Sequence, residues 1–132
     1  MKKLLSLLLL LSLSLSLFSC RYVSSYRAVA LVRVQSSHSC EASFSFLKGQ
    51  LVFKIKKSDV GTEGTVGYSI RVDEGELCLY YDIYGVKEEL AHVKAGESVE
   101  SRGGYVEGGK TVYIIIEASE GAGGKVSVEL DG

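Results

Sequence analysis

The sequence predicts an all-β fold, a single antiparallel β-sandwich of seven to nine strands. Apolar and polar residues alternate along several segments, which is the pattern of strands with one buried face. All 15 glycines lie between Gly49 and Gly132, and there is no proline. Glycine turns between short alternating runs are typical of antiparallel sheets, and 132 residues suffice for one core.

The first predicted strand covers residues 28–34, where several valines favour an extended backbone. Period-two alternation then continues through further predicted strands at residues 40–46, 51–56, 65–72, 77–84, 110–118 and 126–130. Residues 86–95 fit either a strand or a helical turn, and residues 96–102 allow one more short strand. Strands at intervals of about ten residues favour a two-sheet sandwich over an α/β fold.

Two glycine-containing segments predict tight turns between these strands. Residues 73–76, Asp-Glu-Gly-Glu, separate two alternating runs, so we expect a hairpin there. Residues 121–124, Gly-Ala-Gly-Gly, separate the last two runs and predict a second hairpin. Consecutive strands joined by such turns pair antiparallel.

The charges argue against a nucleic-acid partner. The chain has 15 lysines and arginines against 16 aspartates and glutamates, whereas nucleic-acid-binding domains carry a basic excess. Most acidic residues follow residue 58 and basic residues dominate before it, but strands of a sandwich interleave. We therefore expect ordinary solvated strand faces, with a basic strip facing anionic lipid as the alternative.

The first nineteen residues have the composition of an export signal. Lys2 and Lys3 form a short positive segment, and residues 4–18 form an apolar run that only serines interrupt. A membrane-spanning helix needs about 20 apolar residues, so this run predicts a cleaved signal rather than a permanent anchor.

The end of this run, Leu17-Phe18-Ser19-Cys20, resembles the lipobox of bacterial lipoproteins. The resemblance implies cleavage before Cys20 and attachment of acyl chains to it, which would anchor the protein to a membrane. Arg21 follows the cysteine where an aspartate would retain a lipoprotein at the inner membrane, so the outer membrane is favoured in a host with two membranes. The chain then divides into a signal (1–19), a lipidated cysteine with its tether (20–27) and the sandwich domain (28–132).

Lipidation of Cys20 would leave Cys40 and Cys78 as a pair in a compartment that permits disulfides. Their strand phases conflict, because Cys40 shares a face with Phe44 whereas Cys78 alternates with Tyr80. A disulfide therefore requires a bulge that rotates one cysteine, or burial of both faces of the second strand. The alternative is that the two thiols never meet.

In the last two predicted strands, residues 109–117 read Gly-Lys-Thr-Val-Tyr-Ile-Ile-Ile-Glu, and residues 123–130 read Gly-Gly-Lys-Val-Ser-Val-Glu-Leu. These two strands resemble the closing hairpin of small jelly-roll-like modules. Such modules occur in many bacterial lipoproteins and secreted proteins. The resemblance covers residues 44–130 as a strand pattern and implies a jelly-roll-like sandwich. It transfers no functional residue.

Residues 104–111 match the phosphate-loop pattern G-x-x-x-x-G-K-[ST]. A phosphate loop must lead into a helix, whose first amides bind the phosphates. Here Val-Tyr-Ile-Ile-Ile follows, a β-branched run that predicts a strand. We therefore reject a nucleotide site and expect no cofactor.

The sequence contains few residues suited to catalysis or metal binding. The chain has only His38 and His92 and no G-x-S-x-G elbow, so no Ser-His-Asp arrangement is indicated and we expect no enzyme. A zinc site would need both histidines to converge with Cys40 and Cys78, and the acidic residues 73–76 lack a calcium-loop spacing. We expect no metal.

Four tyrosines are the candidate binding residues: Tyr80, Tyr84, Tyr105 and Tyr113. They fall on the less apolar strand phase or in a loop, so they could form an aromatic platform for a sugar or a protein. The leading hypothesis is a lipid-anchored, non-catalytic envelope protein for adhesion, scaffolding or recognition of a protein or glycan. The alternatives are a structural subunit that adds its residues 28–34 to a neighbouring sheet, and an inhibitor of a hydrolytic enzyme that inserts residues 103–109.

Overall fold

The computed structural model describes residues 22–130, so the predicted signal and Cys20 lie outside the described residues. Its elements are β1 (Ser25–Val29), β2 (Val32–Gln35), β3 (Ser39–Lys56), β4 (Glu63–Asp82), β5 (Glu88–Lys94), β6 (Ser98–Glu107) and β7 (Thr111–Leu130). The described residues contain no helix, and hence none able to cross a membrane. The predicted all-β antiparallel fold is confirmed.

The seven strands form one antiparallel sheet with the central order β1-β3-β7-β4-β5. β2 pairs with β3 beyond the end of β1, and β6 pairs with β4 beyond the end of β5. The three long strands β3, β4 and β7 therefore each belong to two half-sheets. The first half-sheet consists of β2, β6 and residues 39–44, 63–72 and 124–130 of the long strands; the second consists of β1, β5 and the remainder of those strands.

The long strands change register between the two half-sheets. β3 shifts between Phe44 and Leu47, and β4 shifts between Val72 and Cys78, in both cases against β7. Such bulges bend a strand. Because buried side chains of both half-sheets form one cluster, the halves face each other around a single core, as in a β-sandwich.

The two predicted hairpins are wrong, since both segments lie inside continuous strands. Gly75 opposes Ala122 at the bend, and its φ of 72° is suited to glycine at a bulge. A Cβ on Gly75 would lie 2.0 Å from the carbonyl oxygen of Gly121, so the strands approach there more closely than any side chain allows. Glycine therefore marks a bend here rather than a turn.

The predicted first strand, residues 28–34, is split into β1 and β2. Ala30 has φ 54° and lies between the two stretches that pair with β3. The pairing is interrupted there because β3 itself is bulged, so one straight strand could not pair with it on both sides of the bulge. The predicted tether is also too long. The Ser24 hydroxyl accepts a hydrogen bond from the Val52 amide at 2.9 Å, and β1 already begins at Ser25.

The edge of β3 beyond β1 is covered by side chains of β2. Arg33 Nη2 donates a hydrogen bond to the Val52 carbonyl at 3.4 Å, and Gln35 Nε2 donates one to the Lys54 carbonyl at 2.6 Å. Exposed edges invite pairing with other chains, and inward-pointing polar residues oppose it. These two bonds argue against strand addition at that stretch of β3.

The connection between β6 and β7 corrects one expectation and confirms another. Residues 103–107, part of the proposed inserting loop, belong to β6, so only a short turn projects. Thr111 begins a strand rather than a helix, which confirms the strand that the β-branched run predicted.

Candidate functional site

A groove of about 650 Å³ lies on the outward face of the first half-sheet. Two cross-strand rows form its floor. The first row runs Val34, Glu41, Ser127, Ser69, Glu100, and the second runs Ser39, Glu129, Gly67, Arg102. Residues directly opposite each other in antiparallel strands present their side chains to the same face, so five strands contribute to one surface.

Gly67 allows the Arg102 side chain to lie against the floor of the groove. A Cβ at residue 67 would lie 3.4 Å from Cζ of Arg102 and 3.3 Å from the Glu129 carbonyl oxygen. The Arg102 guanidinium is within 3.5 Å of the Thr65 hydroxyl, to which it donates. A planar group with several donors is thereby presented along the sheet.

The remaining groove side chains supply hydroxyls and carboxylates. Glu41 forms an ion pair of 3.0 Å with Lys125 at one margin, whereas Glu100 and Glu129 are exposed. Hydroxyl, carboxylate and guanidinium groups together accept and donate hydrogen bonds. The groove can therefore bind a ligand rich in hydroxyls.

The groove lacks the usual nucleophile–base pair. Of the two histidines, both within the described residues, neither lines it. Burial raises the pKa of the Cys40 thiol to about 12, and the nearby Arg33 charge offsets only part of this rise. Cys40 is therefore a neutral thiol below the floor and not an activated nucleophile.

Two of the four candidate tyrosines stack on each other. The rings of Tyr84 and Tyr105 are 6.4 Å apart with an interplanar angle of 22°. The Tyr84 hydroxyl donates to Glu107 at 2.7 Å, which raises the pKa of Tyr84 to about 12, and the Tyr105 hydroxyl donates to Glu63 at 3.2 Å. Both side chains are about half exposed.

This tyrosine pair extends the row of groove residues along β4. Glu63, Thr65, Gly67 and Ser69 alternate with the buried Val66 and Ile70, so the first four face outward. Ser69 and Gly67 belong to the groove, while Glu63 binds Tyr105. Six residues of strand span about 20 Å, so groove and tyrosine pair form one elongated surface.

The other two tyrosines have covered rings. Tyr80 lies under the Lys87 ammonium, 4.2 Å from the ring centroid, and burial is the main cause that raises the pKa of Tyr80 to about 12. Tyr113 contacts the Tyr22 ring at 5.2 Å and the Lys54 ammonium at 5.6 Å. Both lie on the outward face of the second half-sheet, away from the groove, so the four tyrosines form no single platform.

The considered disulfide is absent: Cys40 and Cys78 are free. Cys40 is buried in the core of the first half-sheet, opposite Val128. Cys78 lies in the second half-sheet opposite Glu117, between buried Leu77 and Leu79, and so faces outward. The phase conflict visible in the sequence is real, because no bulge rotates either thiol towards the other.

The groove was not predicted from the sequence. Its residues are dispersed over five strands, and only their pairing unites them. One signal was present, since serines and glutamates occupy the outward phase of β3, β4 and β7, but any solvated strand shows such a phase.

No family model matches the chain, and no curated protein matches it. Among solved structures, a variant of a family 29 carbohydrate-binding module complexed with mannohexaose is similar, with 11% identity, a TM-score of 0.43, and coverage of 83% of this chain and 91% of that chain.

TmCBM61 in complex with β-1,4-galactotriose is similar with 14% identity and a TM-score of 0.39, covering 85% of this chain and 89% of that one. A cupin domain of an XRE family transcriptional regulator from Enterobacter cloacae has 14% identity and a TM-score of 0.34, with coverage of 80% and 100%. These TM-scores lie below 0.5, and the function proposed below therefore depends on this chain's own residues.

Proposed function

We propose that the protein is a lipid-anchored, non-catalytic envelope protein that binds an extended glycan. The observation that carries this proposal is the elongated surface formed by the groove and the Tyr84–Tyr105 pair. Sugar hydroxyls need donors and acceptors in fixed positions, and sugar rings stack on aromatic faces. Arg102 and the serines of the groove supply the hydrogen-bonding groups, and the two tyrosines supply the aromatic faces.

The charges of the groove narrow the ligand class. Glu100 and Glu129 are exposed carboxylates, Arg102 carries one positive charge, and Lys125 is paired with Glu41. A strongly anionic polysaccharide would meet more carboxylates than cations and would be repelled. A neutral or amino-bearing glycan fits this balance.

A blocking substitution tests the groove. Ser69→Tyr places a bulky side chain on its floor, at an outward position of a strand where tyrosine is well tolerated. Ser119→Tyr is the matched control, because Ser119 is exposed on β7 and does not line the groove. Binding is measured by gel mobility in neutral, amino-bearing and acidic polysaccharides and by calorimetry with the oligosaccharides of any that retards the protein.

Retardation by a neutral or amino-bearing polysaccharide that Ser69→Tyr abolishes and Ser119→Tyr preserves would support the proposal. No retardation by any member of the panel, or equal binding by both variants, would overturn glycan binding in the groove. Release of shortened sugars during the incubation would overturn the non-catalytic part. Chromatography of the incubated oligosaccharides checks this last point.

The anchor is proposed from the lipobox-like segment that ends at Cys20. The intact mass of protein purified from membranes of a lipoprotein-processing host is expected to correspond to a chain that starts at Cys20 and carries acyl chains. A Cys20→Ser variant is expected to lose the added mass and leave the membrane fraction. An unmodified wild-type chain would contradict the anchor without affecting the groove.

A further inference from the structure

A cluster of three different metal-ligand types lies on the outward face of the second half-sheet. One donor atom from each of Cys78, Glu89 and His92 lies within 4.8 Å of the other two. Cys78 and His92 are directly opposite each other on β4 and β5. The groove and Tyr105 belong to the other half-sheet and Tyr84 follows the end of β4, so the cluster shares no residue with the proposed glycan surface.

A bulge in β5 brings Glu89 into the cluster. Leu79 opposes Ala91, but the next residue, Tyr80, opposes Glu89, so Leu90 is the extra residue. In a regular strand Glu89 and His92 would point to opposite faces, since three positions separate them. The inserted residue turns Glu89 to the face of His92, and bulges re-aim side chains in this way at functional sites.

We propose that Cys78, Glu89 and His92 bind a divalent transition-metal ion, with Zn²⁺ the ion that this donor set fits best. Zinc is bound by thiolate sulfur, imidazole nitrogen and carboxylate oxygen in tetrahedral sites. The usual bond lengths place the ligand atoms around such an ion roughly 3.5 Å apart. Side-chain rotations that move each donor atom by about 1 Å therefore complete the geometry. Three protein ligands leave the fourth position to water or an external ligand.

A fourth residue orients the histidine. Glu76 Oε2 lies 3.0 Å from Nε2 of His92. Histidines that bind zinc commonly donate their second ring N–H to a carboxylate, which fixes the tautomer and leaves the other nitrogen for the metal. Glu76 is therefore a positioning residue that leaves Nδ1 of His92 as the ligand atom.

The charges around the cluster favour a cation. Glu76, Glu89 and Glu117 face Cys78 and His92 from three strands, and Lys87 is engaged with Glu117. Burial raises the pKa of the Cys78 thiol, and the charges of Glu89 and Glu117 raise it further, against a hydrogen bond with Tyr80 that lowers it. Metal binding replaces the thiol proton, so one proton is released for each ion bound at Cys78.

The test uses the full chain, kept soluble in detergent, freed of metal with a chelator and titrated with Co²⁺ as a spectroscopic probe. A near-ultraviolet thiolate-to-cobalt absorption, together with the visible bands of tetrahedral Co²⁺, is expected at one ion per chain and should disappear on adding Zn²⁺. Cys78→Ser is expected to abolish the thiolate band. His92→Gln and Glu89→Gln are expected to weaken binding tenfold or more.

Matched controls separate this cluster from the other potential ligands. Cys40→Ala and His38→Gln remove a thiol and an imidazole outside the cluster and should leave the titration unchanged. Glu76→Gln should weaken binding less than His92→Gln while preserving the absorption spectrum. A thiolate band that persists in Cys78→Ser, or is lost in His38→Gln, would overturn the assignment, as would the absence of the band in the wild-type chain.

A second measurement needs no substitution. Zn²⁺ should slow alkylation of Cys78 by iodoacetamide at least tenfold in the folded wild-type chain, as followed by mass spectrometry of the peptides, because a metal-bound thiolate is protected. Equal alkylation with and without Zn²⁺ would contradict the site even if the variants failed to fold.

Discussion

The Tyr22 hydroxyl donates a hydrogen bond of 2.5 Å to Oδ2 of Asp82, sixty residues away in sequence. Asp82 is the last residue of β4 and is only 1% exposed, and the Gly85 amide donates to its other carboxylate oxygen. A buried carboxyl group needs such donors, because removing one leaves an unsatisfied acceptor. The segment before β1 thus closes one end of the second half-sheet.

Tyr22→Phe removes this donor while keeping the ring that contacts Tyr113. The free energy of unfolding is expected to fall by about 1–3 kcal/mol, as for other buried acceptors that lose a partner. Tyr26→Phe is the control, because Tyr26 is 37% exposed, and its change should stay within about 0.5 kcal/mol. Urea unfolding measures both, and equal values would contradict the role given to Tyr22.

Gly75→Ala tests the close approach of β4 and β7 at the bend. The added Cβ would lie 2.0 Å from the Gly121 carbonyl oxygen, so the strands must separate. Gly61→Ala is the matched control, since Gly61 also has positive φ, 82°, but no atom lies within 4 Å of its Cβ position. We expect a loss of about 1–2 kcal/mol for Gly61→Ala from backbone strain alone, and a clearly larger loss for Gly75→Ala. Thermal unfolding ranks the two, and the reverse order would contradict the bend.

Stability should decline in alkaline solution because of Cys40. Burial raises the pKa of this thiol to about 12 in the folded protein, whereas a solvated thiol, as in the unfolded chain, has a pKa of 9.0. Above the unfolded pKa the unfolded state loses a proton that the folded state keeps, so stability falls as pH rises towards the folded pKa, by up to about 1.4 kcal/mol per pH unit. Below pH 9 this contribution is fully present.

Cys40→Ala removes the titrating group, so the slope of unfolding free energy against pH between 9 and 11 should be smaller in the variant. The absolute stability of the variant will be lower because a cavity replaces the sulfur, and only the slope is diagnostic. Denaturant titrations at each pH supply both slopes. Identical slopes would show that Cys40 ionises equally in the two states.

Oxidation should leave Cys40 and Cys78 unlinked. In a Cys20→Ser chain purified without reductant, two thiols are expected to react after unfolding, and only Cys78 before it, because Cys40 is 4% exposed. Thiol titration in the presence and absence of denaturant distinguishes these states. A chain with no reactive thiol in denaturant would indicate the disulfide that the structure lacks.

The strand faces were predictable, whereas the bends were not. Alternation put Ala42, Phe44 and Phe46 on one face, and Ala42 and Phe44 are buried because the side-chain period of a strand is fixed. Phe46 is 38% exposed, because the β3 bulge that begins after Phe44 changes the phase. A positive-φ glycine serves both a hairpin turn and a bulge, so Gly75 could be interpreted either way from sequence alone. Only pairing with β7 decides between them.

The candidate sites were predictable only in part. Tyr84 and Tyr105 were named from composition and phase. Their stacking could not be predicted, because it requires the segment after β4 to lie beside the end of β6. The pairing of Cys78 with His92 could not be read from the chain, because it requires the register of β4 against β5. Long-range register is fixed by the whole core rather than by local residues.

β7 follows the other six strands of the described residues in sequence, and yet it lies in the middle of the sheet. β3 and β4 do not pair with each other, and both pair along most of their length with β7. A chain growing from its N-terminus therefore holds two disconnected groups of strands until residues 111–130 are present. The sheet can therefore assemble only after residues 111–130 have been synthesised. Deletion of β7 would therefore prevent the whole sheet from forming, whereas deletion of an edge strand would leave the rest of the sheet paired.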